Sequence, residues 1–122
     1  MILIDSFGWR ENLTDGPLAD QYGGHFKKLS EGITPTIVLC DVYKSVRREE
    51  SEQGALLVAA QVQKTRIIHL TDESTFSATE LSFTQQLPTA DSIVYATSRR
   101  ERCSVVTSDP RPERLEGVVF RE

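Results

Sequence analysis

Three short apolar runs, MILID (1–5), RIIHL (66–70) and SVVTSD (104–109), stand between much longer stretches with helical spacing. That alternation restricts the fold more than any other feature of the chain. VVF (118–120) reads as a further, final strand. Strands separated by helical crossovers run parallel, and a parallel sheet must be covered on both faces. The pattern therefore predicts an α/β fold of three layers: a central parallel sheet of four to five short strands with helices on both faces. Its 122 residues suffice for one hydrophobic core, so residues 1–122 are read as a single domain.

Punctuation places the helices. A helical region runs from about Trp9 to Leu29, interrupted at Asp15-Gly16-Pro17 and loosened at Gly23-Gly24. Thr34-Pro35 reads as an N-cap followed by a proline at the first helical position, opening a helix to about Arg48. Ser51 caps the next helix, with Leu56, Leu57, Ala60 and Val62 as its apolar face. Asp72 reads as the cap of a helix to about Gln86, anchored by Phe76, Leu81 and Phe83. Pro88 starts the last helix, with Ala90, Ile93, Val94 and Ala96 at helical spacing and Ser92 and Ser98 on its surface. PRPERLEG (110–117) is a loop.

Several function classes fall away on composition. No apolar stretch approaches the roughly 18 residues that span a bilayer. MILID lacks the basic start of a signal peptide, so a cytoplasmic location is expected. Cys40 and Cys103 match no metal-ligand spacing and read as free thiols, and His25 and His69 are isolated, which removes zinc and Ser-His chemistry. The net charge of −4 argues weakly against a nucleic-acid binder, yet Lys44, Arg47 and Arg48 cluster, as do Arg99, Arg100 and Arg102. Solvated helix ends account for such clusters unless something else in the chain points to phosphate.

The acids supply that pointer. Asp5 and Asp109 each end an apolar strand, and ligands of open parallel sheets bind outside the carboxyl ends of strands. Asp is also a common turn and cap residue, so the position alone does not decide between a site and a cap. Asp91 falls in the first turn of its helix, where the dipole favours a carboxylate. Asp41 lies about two turns into TPTIVLCDVYK, and is either the polar edge of that helix or a buried charge. Four converging carboxylates would repel one another, and a cation is their natural compensation. All-oxygen ligation favours Mg²⁺ or Mn²⁺ over zinc. Trp9, Tyr43 and Tyr95 read as packing residues rather than as base-stacking platforms.

These residues resemble the PIN-domain family. Asp5-Ser6 after an apolar strand, with Trp9 following, is similar to its opening motif. Asp41 stands where the family usually has Glu, LPTADSIVYATS resembles the segment of the third acid, and VVTSD resembles the strand-end Thr-x-Asp. Order, spacing and length fit the VapC type, the toxin half of a toxin–antitoxin pair. The resemblance implies a Mg²⁺- or Mn²⁺-dependent endoribonuclease acting on tRNA or other structured RNA, a homodimer, and a small antitoxin covering the site. It implies Asp5, Asp41, Asp91 and Asp109 as metal-binding and catalytic acids, with Ser6 and Thr107 as supporting hydrogen-bonding groups. Lys44, Arg48 and Arg111 become candidate contacts to RNA phosphate. The chain departs from the family in the shorter Asp41, in Arg111 where another acid is frequent, and in Gly8 where an apolar residue is usual. A catalytically weakened binding module of the same fold is the alternative reading. A phosphoacceptor receiver domain fits poorly, because Asp5 is followed by Ser6 and no Lys follows the last strand.

Overall fold

In the computed structural model, residues 2–13, 29–107 and 118–120 are described. Asp109, Arg111, His25, the 110–117 loop and the turns expected at 15–17 and 23–24 lie outside them, as does the side chain of Thr107.

Five strands form one parallel sheet in the order β3-β2-β1-β4-β5. They are β1 (Ile2–Ile4), β2 (Gly32–Pro35), β3 (Arg66–Ile68), β4 (Ser104–Thr107) and β5 (Val118–Phe120). Leu3 pairs with Ile33 on one side and Val105 on the other, which makes β1 a central strand with Leu3 fully buried. Among the described residues, five α-helices join the strands: α1 (Ser6–Leu13), α2 (Thr36–Glu49), α3 (Glu52–Val62), α4 (Asp72–Gln85) and α5 (Thr89–Arg100). α2 packs with α3 and α4 with α5 as two hairpins, while α1 lies against α2. Strand order moves outward from β1 to β3 and then returns to β4, so right-handed crossovers put the two hairpins on opposite faces. The three-layer α/β expectation is met.

Helix starts differ from the sequence reading in three places, the first being α1, which opens at Ser6 rather than about Trp9. Thr34 is no cap: it is a fully buried residue of β2 whose hydroxyl pairs with that of Thr65, which in turn donates to Val62 O at 2.6 Å. A residue before proline is pushed to extended backbone, so the strand continues to Pro35 and the helix opens at Thr36. In α4 the cap is Thr71 rather than Asp72. Thr71 Oγ1 accepts from Ser74 N–H at 3.1 Å, and Ser74 Oγ accepts from Thr71 N–H at 2.8 Å, closing a reciprocal capping box. Ser51 caps α3 as expected, accepting from Gly54 N–H at 2.9 Å.

The apolar faces differ more. α3 turns Ala55, Val58 and Val62 inward and leaves Leu56, Leu57 and Ala60 exposed. α4 buries Ser74, Ala78 and Leu81 and exposes Phe76 and Phe83. In α5, Ser92 and Ser98 are buried rather than on the surface, with hydroxyls donating to Pro88 O at 3.0 Å and Tyr95 O at 2.9 Å. Small inward side chains let the two helices of each hairpin approach closely, and carbonyls of the same helix satisfy the buried hydroxyls. Trp9 and Tyr95 are core residues, and Tyr43 packs against the core, as expected.

Candidate active site

β1 ends at Ile4, and the next residue already belongs to the turn into α1. Asp5 N–H donates to Val106 O at 3.4 Å, which holds the turn to the end of β4. Asp5 O accepts from Trp9 N–H at 3.2 Å, the first bond of the helix, and Asp5 Oδ1 accepts from Gly8 N–H at 2.9 Å. Asp5 is therefore the N-cap of α1, a position where Asp is among the preferred residues. Capping directs one carboxylate oxygen at the helix and fixes the group at the carboxyl end of the sheet. Gly8 does not disturb the start of the helix, since its backbone N–H completes the cap.

Ser6 extends the arrangement to α2. Its hydroxyl donates to Asp41 Oδ2 at 3.4 Å, joining the first residue of α1 to the second turn of α2. Asp41 itself is exposed, so the buried-charge alternative is excluded and it stands on the polar edge of its helix. What distinguishes it from an ordinary edge residue is that it faces the end of β1. Arg10, one turn beyond Ser6, donates from Nε to Ser6 O at 3.4 Å. Sequence reasoning looked only for clustered cations and passed over this lone one, whose single signal is its four-residue spacing from Ser6.

Asp91 lies in the first turn of α5, half-buried, with its Oδ2 shielded from solvent. α5 packs against α2, β2 and β4, so its N-terminal turn belongs to the same layered core as Asp41's helix. Among the described residues no three His, Cys, Asp or Glu side chains come close enough to hold a metal jointly. The bond through Ser6 thus links Asp5's turn to Asp41, whereas convergence of Asp91 with them is not shown, and Asp109 lies outside the described residues. Lys44 and Arg48 are exposed on the same helix as Asp41.

Chemically, the half-buried Asp5 carboxylate and the exposed Asp41 carboxylate, supported by the Ser6 hydroxyl, are hard oxygen donors that suit a hard divalent cation. Mg²⁺ is usually held through one or two carboxylates, retained waters and substrate phosphates rather than an all-protein cage. Asp5 and Asp41 fit that mode of binding without a third described ligand. The two grooves beside the α4–α5 hairpin are elsewhere. One, of 230 Å³, is lined by residues including Leu70, Phe83 and Ile93, and the other, of 330 Å³, by residues including Glu73, Arg99 and Arg100. Neither contains Asp5, Asp41 or Asp91.

Comparison with known proteins bears on the whole chain. The sequence pattern of the PIN domain matches residues 10–118. No curated protein matches at the level of sequence. Among solved structures, a toxin–antitoxin complex from Klebsiella pneumoniae superposes with a TM-score of 0.81 at 19% identity, covering 98% of this chain and 97% of that one. VapC20 of Mycobacterium tuberculosis, a toxin that cleaves the sarcin–ricin loop, gives 0.81 at 18% identity with full coverage of both chains. VapBC2 from Rickettsia felis, bound to a DNA fragment of its promoter, gives 0.77 at 16% identity, covering 99% and 98%.

Proposed function

The chain belongs to the PIN-domain family, and on that footing we propose that it is a divalent-metal-dependent endoribonuclease, the toxin half of a VapBC-type toxin–antitoxin pair. The observation that carries the reading is the bond from Ser6 to Asp41, which brings an exposed carboxylate of α2 to the end of the central strand. In this reading Asp5, Asp41, Asp91 and Asp109 are the metal-binding and catalytic acids, with Ser6 and Thr107 in support.

The reaction is hydrolysis of an RNA phosphodiester by water. Asp5, Asp41, Asp91 and Asp109 would hold a Mg²⁺ or Mn²⁺, which would supply a more acidic water and offset charge on the phosphate. The chain's own contribution is placement. Gly8 N–H holds Asp5 in one rotamer at the strand end, and the Ser6 hydroxyl orients Asp41. As the water's oxygen bonds to phosphorus and the bond from phosphorus to the sugar oxygen breaks, Asp41 takes the water's proton, and the departing sugar oxygen takes a proton from solvent to leave as a hydroxyl. Asp41 is one methylene shorter than the family's usual Glu, so a bridging water would relay that proton to it.

The same reading proposes a cytoplasmic homodimer neutralised by a small antitoxin. No helix among the described residues is long and apolar enough to cross a membrane. Exposed Leu56, Leu57, Phe76 and Phe83 offer apolar surface for such partners.

The test is cleavage of tRNA and of a sarcin–ricin stem-loop in Mg²⁺ or Mn²⁺, by the wild type and by the Asp5→Asn and Asp91→Asn variants. Loss of cleavage in both variants and in chelator is expected; equal cleavage by wild type and variants sinks the assignment. A non-catalytic binding module is the second reading, favoured by Asp41 and Arg111 as departures from the family pattern and by the net charge of −4. Calorimetric Mn²⁺ binding that disappears in Asp109→Asn counts against that second reading.

A further inference from the structure

The exposed face of α2 is more organised than its sequence suggested. Val38, Val42, Ser45 and Val46 are buried, while Cys40, Asp41, Lys44, Arg47 and Arg48 are all exposed. At about 100° per residue these five share a sector of roughly 120°. Asp41 stands at one end of this strip beside Ser6, and the cations follow it along the helix axis. With a rise of ~1.5 Å per residue, Lys44 lies about 4.5 Å and Arg48 about 10 Å beyond Asp41.

These cations have no internal work. Arg66 pairs with Glu101 at 3.3 Å and Arg100 with Glu73 at 3.5 Å. Lys44 and Arg47, by contrast, form no ion pair among the described residues, and Arg48 reaches only its chain neighbour Glu49, at 3.6 Å, with both side chains more than half exposed. The helix dipole accounts for Arg47 and Arg48 in the last turn but not for Lys44, which precedes it. The second cluster differs in its partners, since Arg100 is already paired with Glu73.

We infer that this sector of α2 is the track along which one RNA strand runs to the site, with Lys44, Arg47 and Arg48 on its phosphates and Asp41 at the head. The inference rests on the nuclease reading above for the identity of its polyanion and adds which surface carries the strand. The sector holds no aromatic side chain, so it grips the backbone and reads no base. Specificity for a particular RNA must then come from other surfaces or from RNA shape.

The experiment measures binding of a fluorescent oligouridylate by anisotropy, in chelator, across a range of KCl concentrations. Each phosphate contact to a single strand contributes ~0.7 to the slope of log K against log salt. The Lys44→Gln/Arg47→Gln/Arg48→Gln variant is expected to lose about 2 from that slope, and Arg66→Gln none. Cys40, exposed within the sector, reports occupancy directly: RNA should slow its alkylation severalfold while Cys103 stays buried. An unchanged slope in the triple variant, or undiminished Cys40 alkylation, overturns the track. Equal protection of Cys40 by polyglutamate overturns it too, in favour of an acidic protein partner. Binding along α2 without cleavage in Mn²⁺ defeats the nuclease reading alone. Cleavage by the triple variant with an unchanged KM defeats the track alone.

Discussion

Gly8 donates its backbone N–H to Asp5 Oδ1 at 2.9 Å, so the carboxylate that begins the candidate site also caps α1. Stability and chemistry can be separated there, because Asn caps as well as Asp while losing the charge. Asp5→Ala is expected to cost about 1 kcal/mol, roughly 3–5 °C in Tm, and Asp5→Asn close to nothing. Both should lower RNA cleavage by about a hundredfold or more, since the charge is absent in each. A Tm drop in Asp5→Asn equal to that in Asp5→Ala would show that charge, not the cap, holds the turn. Cys103 makes a different prediction. Burial pushes its thiol from the ordinary 9.0 up to about 11, so the folded state keeps a proton that the unfolded state releases. That contribution to stability is complete below pH 9 and is lost as pH rises towards 11, by roughly 2–3 kcal/mol. Urea midpoints should therefore fall more steeply above pH 9 in the wild type than in Cys103→Ala.

The elements show which parts of the fold were legible and why. β1, β3, β4 and β5 followed from short apolar runs, and β1 and β4 are buried as central parallel strands are, whereas β2, with the sequence GITP, has no such run. Helix starts shifted where two signals competed. Pro35 was read as a helix opener, yet its effect on Thr34 extends the strand. Asp72 was read as a cap although Thr71 and Ser74 close the box one residue earlier. Replacing Thr71 with Ala should cost about 1 kcal/mol by urea denaturation. Asp72→Ala removes only a dipole interaction at an exposed position and should cost about half that or less. The inward faces of α3 and α4 were illegible for a physical reason. Periodicity favours large apolar residues as core, but close hairpins demand small ones, so Ala55, Ser74 and Ala78 went in and Leu56, Phe76 and Phe83 stayed out. Asp5, Ser6 and Asp41 stood out in the sequence, and the structure joins Ser6 to Asp41 by a hydrogen bond. The bond joining them depends on how α1 packs against α2, which no single-chain pattern encodes.

At the scale of the whole molecule, the misplaced apolar residues become informative. Phe76 is 73% exposed and Phe83 79%, one two-turn interval apart on α4. Scattered surface leucines need no explanation, but paired aromatics on one helix, with Leu70 nearby, form a patch of the kind that soluble monomers rarely leave uncovered. The proposed homodimer gives that patch an occupant: antiparallel packing of α4 on its copy would bring Phe76 of each chain towards Phe83 of the other. Such an isologous contact repeats every favourable interaction twice. Sedimentation equilibrium should then give a mass near twice the 13.7 kDa of one chain. Phe83→Glu should return the single-chain mass with its circular dichroism spectrum intact, because the side chain contributes little to the fold of its own chain. Leu57→Glu, on the opposite hairpin, should remain dimeric. A monomeric wild type would remove the dimer from the proposed function, and a dimer broken by Leu57→Glu instead would move the interface to α3.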